Sequence, residues 1–261
     1  MEMTYTTQLQ AGTGMIDETK SLLGVWQTGM TAAELSQEAL ESGIFPNMSA
    51  RRIRNLVVEC FAPRYLVKEQ QPAAWVKQLQ GGLSRAEFAQ LLFLYTCRAN
   101  EILSDFVKQV YWMHYSAGKT EIEKQDAIDF VVRSNQDGKT ASLWSDSTVR
   151  RVSSYLISCC ANFGLIEDAK RKNSRKIFPY RVENKVSLFL LNELHLQFKC
   201  GDNAIINHPD WQLFGLESAE VIEQLKAQMV NGHLVVQSAG GLVNVAWKYK
   251  NMQELVDAII G

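Results

Sequence analysis

Between residues 170 and 176 the chain reads Lys170-Arg171-Lys172-Asn173-Ser174-Arg175-Lys176, five cations in seven residues. Like charges this close repel one another by up to about 1 kcal/mol per near pair in water, so the segment calls for an anionic partner or full solvation. Upstream, Ser147, Arg150, Arg151, Ser154 and Ser158 recur at a spacing that puts them on one side of a helix, with Val149, Val152, Leu156, Cys160 and Phe163 on the other. Short hydroxyl side chains let a backbone approach phosphate closely, and arginine reaches either phosphate or the edge of guanine. A weaker group follows Ser49. Arg51, Arg52 and Arg54 open a helix whose free N–H groups favour phosphate, and Arg64 and Lys68 follow. The chemistry these residues could do is phosphate neutralisation. The competing reading of each group is an ordinary solvated face.

The overall charge hides this pattern. Twenty-seven basic against twenty-eight acidic residues give -1, which by itself argues against a strongly cationic nucleic-acid-binding protein. Yet Arg150 to Lys185 holds nine basic and three acidic residues, a balance of +6, whereas from Val186 onward four basic face eight acidic, a balance of -4. The near-zero total is cancellation between segments.

Other chemistries find no constellation. Ala117-Gly118-Lys119-Thr120 resembles the end of a phosphate-binding loop, but the earlier glycine that such a loop requires would fall at Met113. His114, His195, His208 and His233 are scattered and lack the spacing of a helical zinc site. Asp126 and Asp129 are explained as exposed carboxylates on a helix, and no hydrolase, protease, kinase or dinucleotide signature is found. Cys60, Cys97, Cys159, Cys160 and Cys200 form no CxxC pair, sit mostly in apolar runs and read as reduced core thiols. The expectation is a protein without catalytic residues, cofactor or metal. No stretch approaches eighteen uninterrupted apolar residues and the first residues lack the pattern of a signal peptide, which points to the cytoplasm and away from the membrane.

The elements that must position these cations are mainly helical. Thr31-x-x-Glu34, Ser84-x-x-Glu87 and Thr120-x-x-Glu123 match the capping box that marks a helix start. A helix over 32–42 stops at Gly43, and Ser49 caps another that runs to about Phe61, giving helix, turn, helix. Arg85 to Cys97 and Glu101 to Tyr115 carry long apolar faces, with Phe106, Val110, Tyr111 and Met113 read as core. Past the Thr120 helix and the turn at Gln136 to Lys139, Ser145 or Ser147 caps a helix that ends near Asn162. Gly164-Leu165-Ile166 and Ile177 to Val182 then read as strands around the basic loop. That order is expected of a winged helix-turn-helix. A helix over Ser218 to Val230, a hairpin around Ala239-Gly240-Gly241 and a closing helix complete the chain. The expected fold is mainly α: an N-terminal helix-turn-helix-like domain (1–98), a winged-helix region with small β-hairpins (99–200) and an acidic extension packing on it (201–261).

The strings Thr19-Lys20-Ser21-Leu22-Leu23-Gly24-Val25-Trp26, Met30-Thr31-Ala32-Ala33-Glu34, Ser49-Ala50-Arg51-Arg52 and Arg64-Tyr65-Leu66, followed by the winged-helix-like segment, resemble the BrxA family of BREX phage-exclusion systems. The resemblance implies a cytoplasmic, mainly helical, non-enzymatic component that binds double-stranded DNA. Its companions would be a DNA methyltransferase, an ATPase and a phosphatase-like protein. The residues matching the positions where such a fold would meet DNA are Ser49 to Arg54 and Ser147 to Lys176. Two other readings stay open on the residues alone: an RNA-binding helical module, since arginine-rich loops recognise structured RNA, and a protein–protein scaffold whose basic loop meets an acidic partner. Oligomeric state is left open.

Overall fold

The computed structural model describes residues 4–140, 142–169, 172–239 and 242–261. Its helices are α1 (Ile16–Val25), α2 (Ala32–Glu41), α3 (Ala50–Asn55), α4 (Ala62–Tyr65), α5 (Gln71–Leu79), α6 (Arg85–Ala99), α7 (Glu101–Phe106), α8 (Trp112–Ser116), α9 (Lys124–Gln136), α10 (Asp146–Asn162), α11 (Asn184–Leu196), α12 (Asp202–Ile206), α13 (Ser218–Val230) and α14 (Met252–Ile260). Strands β1 (Glu121–Glu123) and β2 (Ser174–Lys176) form one antiparallel pair, and β3 (Leu234–Ala239) and β4 (Leu242–Trp247) form another. The chain is thus mainly α with two small antiparallel strand pairs. It divides into two compact units, one of residues 1–77 and 92–180, the other of 78–91 and 181–261. The units interleave along the chain, whereas the sequence reading cuts it into three consecutive segments.

Two capping boxes read from the sequence are in place, at Thr31 in the first unit and at Ser84 in the second. The Thr31 hydroxyl accepts the Glu34 N–H while the Glu34 carboxylate accepts the Thr31 N–H, and Ser84 and Glu87 exchange the same pair of bonds. Leu35 and Ala39 of α2 are buried, as are Ile53, Leu56 and Val57 on the helix that packs against it. That second helix is not uniform. Between α3 and α4 it widens into a π-turn (Leu56–Phe61), and the Ala62 N–H reaches back five residues to Val57. Pro63 supplies the reason: it has no N–H to donate and its ring crowds the carbonyl four residues earlier, so the preceding turn opens to make room. A second π-turn (Val107–Tyr111) joins α7 to α8.

The third expected capping box does not form. Thr120 to Glu123 is extended, because Glu121, Ile122 and Glu123 pair with Lys176, Arg175 and Ser174. The helix starts three residues later, where Glu123 and Asp126 form the box instead. Ile177 also bridges Ile166, the Phe178 N–H donates to Leu165 O (2.9 Å), and the Glu167 N–H donates to Lys176 O (2.9 Å). Residues 174–178 therefore lie between 120–123 and 165–167. The order is strand, helix, helix, short extended run, loop, strand. The β2 strand begins within the segment read as loop, so the loop is shorter than its sequence indicates.

Aromatic rings fill this unit. Phe93 meets Phe163 and Tyr180 at centroid distances of 5.4 and 5.5 Å, and Phe106 meets Phe130 at 5.5 Å. Phe106, Val110 and Tyr111 are buried as expected, and the Tyr111 hydroxyl donates to Phe178 O (2.6 Å), tying down the chain just beyond β2. Met113 is 64% exposed, contrary to its core assignment, because it falls beyond the π-turn on the outward side of α8.

In the second unit, α11 carries no amphipathic signature in the sequence. Residues 186–194 are all buried, so its sequence is apolar around the helix rather than along one stripe. Asp202 holds the β3–β4 hairpin by accepting the Val245 N–H (2.8 Å) and the Trp247 indole N–H (3.1 Å). The β3–β4 pair falls where the sequence places it, and Gly240 and Gly241, read from the sequence as its turn, lie outside the described residues. No helix among the described residues is long and apolar enough to cross a membrane.

Leu156, fully buried on α10, tests the packing: Leu156→Ala should cost about 2–5 kcal/mol in urea unfolding, against about 0.5 or less for exposed Arg150→Ala. The thiols give an independent check. Cys60, Cys97, Cys159 and Cys160 are buried and Cys200 is half-buried. Burial pushes the Cys159 thiol up to about 12 and raises Cys60 and Cys160 as well. A thiol-specific chromogenic reagent at pH 8 should modify Cys200 well before the others, and all five after denaturation.

Candidate nucleic-acid interface

The two faces of α10 separate as the sequence requires. Val149, Val152, Leu156, Cys160 and Phe163 are all buried, and Ser153 turns inward to donate its hydroxyl to Ala127 O (3.2 Å) and Val149 O (2.8 Å), anchoring α10 to α9. At the far end the Asn162 amide oxygen accepts the Gly14 N–H (3.0 Å) and the Thr13 hydroxyl (2.6 Å). Gly14 has no alternative there, since a Cβ would lie 2.4 Å from that of Asn162.

On the outer face, Ser145 rather than Ser147 caps the helix, its hydroxyl accepting the Thr148 N–H (3.4 Å), while the Ser147 and Ser145 hydroxyls stand 3.0 Å apart. Asp146 occupies the first turn, so a carboxylate sits at the terminus that the helix dipole would otherwise offer to an anion. The cationic surface starts one turn later, with Arg150 and Arg151 both exposed. Ser154 follows, half-buried, its hydroxyl donating to Arg150 O (2.9 Å), and then Ser158, also half-buried.

This face runs into a cleft of about 300 Å³ lined by Ser154, Ile157 and Ser158 of α10, Ile122 and Lys124 across from it, and Lys172, Asn173 and Arg175 beside β2. The structure thus brings Ser154, Lys172 and Arg175 together around one opening. Arg175 is only 8% exposed. It stands opposite fully buried Ile122 in the strand pair and so shares the inward face, while Ser174 and Lys176 lie on the other, with Lys176 exposed opposite Glu121. The Glu121 carboxylate accepts the Ser174 hydroxyl. Lys172 is exposed and bonds Glu167 (3.0 Å), holding that carboxyl below the usual carboxylate range. A pair this open to water is weak, so an incoming anion displaces it readily. Lys170 and Arg171 lie outside the described residues.

The earlier group stands apart. Ser49 caps α3 by accepting the Arg52 N–H (3.3 Å); Arg51 and Arg54 are exposed and Arg52 is half-buried. None of these four lines the α10 cleft. Arg64 is not part of any surface: it is 3% exposed, and its guanidinium donates to Gly12 O (2.6 Å) and Thr13 O (3.0 Å). Its spacing gives it away, since Ile53, Val57, Cys60 and Arg64 step by four, three and four along the buried stripe. Lys124 and Asn173 are the cleft residues that sequence reasoning passed over as site residues. The signal for Lys124 is the alternation of Glu121, Ile122 and Glu123, which makes a strand that delivers Lys124 to the cleft.

Three comparisons bear on these observations. The BrxA family model matches residues 3–193. The crystal structure of an uncharacterized protein from Magnetospirillum magneticum is similar at a TM-score of 0.57 and 17% identity, covering 72% of this chain and 93% of that one, a likeness of fold. A search of curated proteins found no significant match.

The contrast between the two kinds of arginine can be measured. Arg64→Met should lower unfolding stability by about 2–4 kcal/mol, because two carbonyls lose a charged donor in a buried place. Arg51→Ala should leave it within about 0.5 kcal/mol.

Proposed function

The chain belongs to the BrxA family, which associates it with BREX phage-exclusion systems, and from that premise we propose that it is a non-enzymatic double-stranded DNA-binding component of such a system. The observation that carries the proposal is the strand-helix-helix-strand-loop-strand order around α10. We read that order as a winged helix, with α10 as the helix that enters the groove and residues 167–169, 172 and 173 as the described part of the wing. Packing of Val149, Val152, Leu156 and Cys160 leaves Ser147, Arg150, Arg151 and Ser154 as the face α10 turns outward. The wing adds Lys172, and Lys176 follows on β2. Phosphate contact is the main source of affinity in this reading, with arginines on α10 available to base edges. The α2–α3 pair forms a second helix-turn-helix-like unit whose exposed Arg51 and Arg54 add backbone contacts. Catalysis belongs to companions: a DNA methyltransferase, an ATPase and a phosphatase-like protein.

Fluorescence anisotropy with an arbitrary labelled duplex across a salt series tests this. Neutralising about four or more phosphates gives a log-log slope of about -4 or steeper at roughly -0.9 per phosphate. Arg150→Ala and Lys176→Ala should each weaken binding across sequences and flatten the slope by about 1. Absence of binding at low salt sinks the proposal, and a matched RNA duplex that competes better than DNA reassigns the ligand to RNA.

A further inference from the structure

The cleft beside α10 carries more than a backbone-tracking surface requires. Arg175 is more than nine-tenths buried and lines it. Its guanidinium makes no hydrogen bond and no ion pair among the described residues. Four carboxylates on the elements packed around it are engaged elsewhere: Glu121 with the Ser174 hydroxyl, Glu123 with the Asp126 N–H, Asp126 with the Glu123 N–H and His114, and Glu167 with Lys172, while Asp168 is exposed. None of them lines the cleft. A guanidinium holds five N–H donors in a planar fork and cannot shed its proton, so one held in place by a buried stem, with its donors open to the cleft and no protein acceptor, is ready to receive an anion.

The neighbouring groups suit an anion with oxygens. Lys124 opens α9 and is exposed at the rim, adding a second cation, with Lys172 as a third. The Ser158 hydroxyl and the Asn173 side-chain amide add donors whose hydrogen bonds are not taken by described groups. Ser154 is less available, since its hydroxyl already donates to Arg150 O. Ile122 and Ile157 form apolar wall. At about 300 Å³ the cleft is at the small end of ligand-binding cavities and exceeds what a bare phosphate fills, leaving room for an attached sugar.

We propose that this cleft is a phosphate-binding site in which Arg175 grips a phosphoryl group through its fork, with Lys124, Ser158 and Asn173 closing around the remaining oxygens. The group has two possible sources, a phosphodiester of a DNA backbone or a free phosphate or nucleotide. The first rests on the DNA-binding reading and the second does not.

The test uses the full chain and inorganic phosphate as the probe. Thermal unfolding is followed in potassium phosphate and in potassium chloride at matched ionic strength and pH. Phosphate should raise the melting temperature saturably by several degrees over chloride. Arg175→Lys should retain a weakened response, because charge remains without the fork, and Arg175→Met should abolish it. Because Arg175 is buried, Lys124→Ala and Ser158→Ala provide a second route: each should keep the wild-type fold and weaken phosphate binding about tenfold or less. Equal stability of the wild type in the two salts overturns the proposal, as does a phosphate response unchanged in Arg175→Met and in Lys124→Ala.

Anisotropy with the labelled duplex distinguishes the sources. If a backbone phosphodiester occupies the cleft, saturating phosphate and Lys124→Ala each reduce duplex affinity several-fold at matched ionic strength. If duplex affinity is indifferent to both while the thermal response persists, the site takes a free phosphate. A protein that responds to phosphate but binds no duplex separates failure of the DNA-binding reading from failure of the site. A protein that binds duplex through Arg150 and Arg151 with no phosphate response separates the reverse.

Discussion

Everything on the candidate surface depends on the rotation of α10 about its own axis. Five apolar side chains fix that rotation, and Ser153 locks it with a buried hydroxyl bonded to α9. A turn of a single residue, about 100°, would carry Arg150 and Arg151 toward the core and bring Val149 and Val152 to the surface. The polar groups therefore need no interactions of their own to be positioned. They inherit their places from the apolar stripe, which leaves their chemistry uncommitted to folding and available for a ligand. Arg64 is the opposite case, an arginine whose donors are consumed by the chain that surrounds it.

The part of the structure that could be read from residue types is the part governed by local patterns. The stripe of α10, the Thr31 and Ser84 capping boxes, and the two helices flanking Gly43 obey rules that operate within a few residues. So does the β3–β4 pair, whose strands are close neighbours in sequence. The failures share a different cause. β1 becomes a strand only because β2, fifty residues away, pairs with it, and Thr120-x-x-Glu123 satisfies a helix-start pattern equally well when taken alone. α11 escaped notice because a helix buried on all sides loses the periodicity by which helices are recognised.

The same distinction runs through the site. Counting charge finds the basic segment but assigns all five cations one role, as an exposed loop. Pairing divides them: Arg175 faces inward opposite Ile122, Lys176 faces outward opposite Glu121, and Lys172 leans on Glu167. Alternation along a strand sends neighbours to opposite sides, so a run of like charges that continues into a sheet cannot act as a single patch. Lys124 enters through the identical logic, since it follows the strand that receives Arg175.

The interleaving of the two units bears on how the chain assembles during synthesis. Residues 78–91 belong with partners that begin at residue 181, so roughly ninety residues must emerge from the ribosome before that segment meets the rest of its unit. The first unit, by contrast, is completed once residue 180 has been made. Vectorial synthesis thus favours closure of the α10-bearing unit first, while the stretch from Gln78 to Leu91 waits with its apolar side chains uncovered. A nascent chain arrested between these two points would hold a formed basic face and an unfinished remainder, and that interval is when a chaperone would find most to grip.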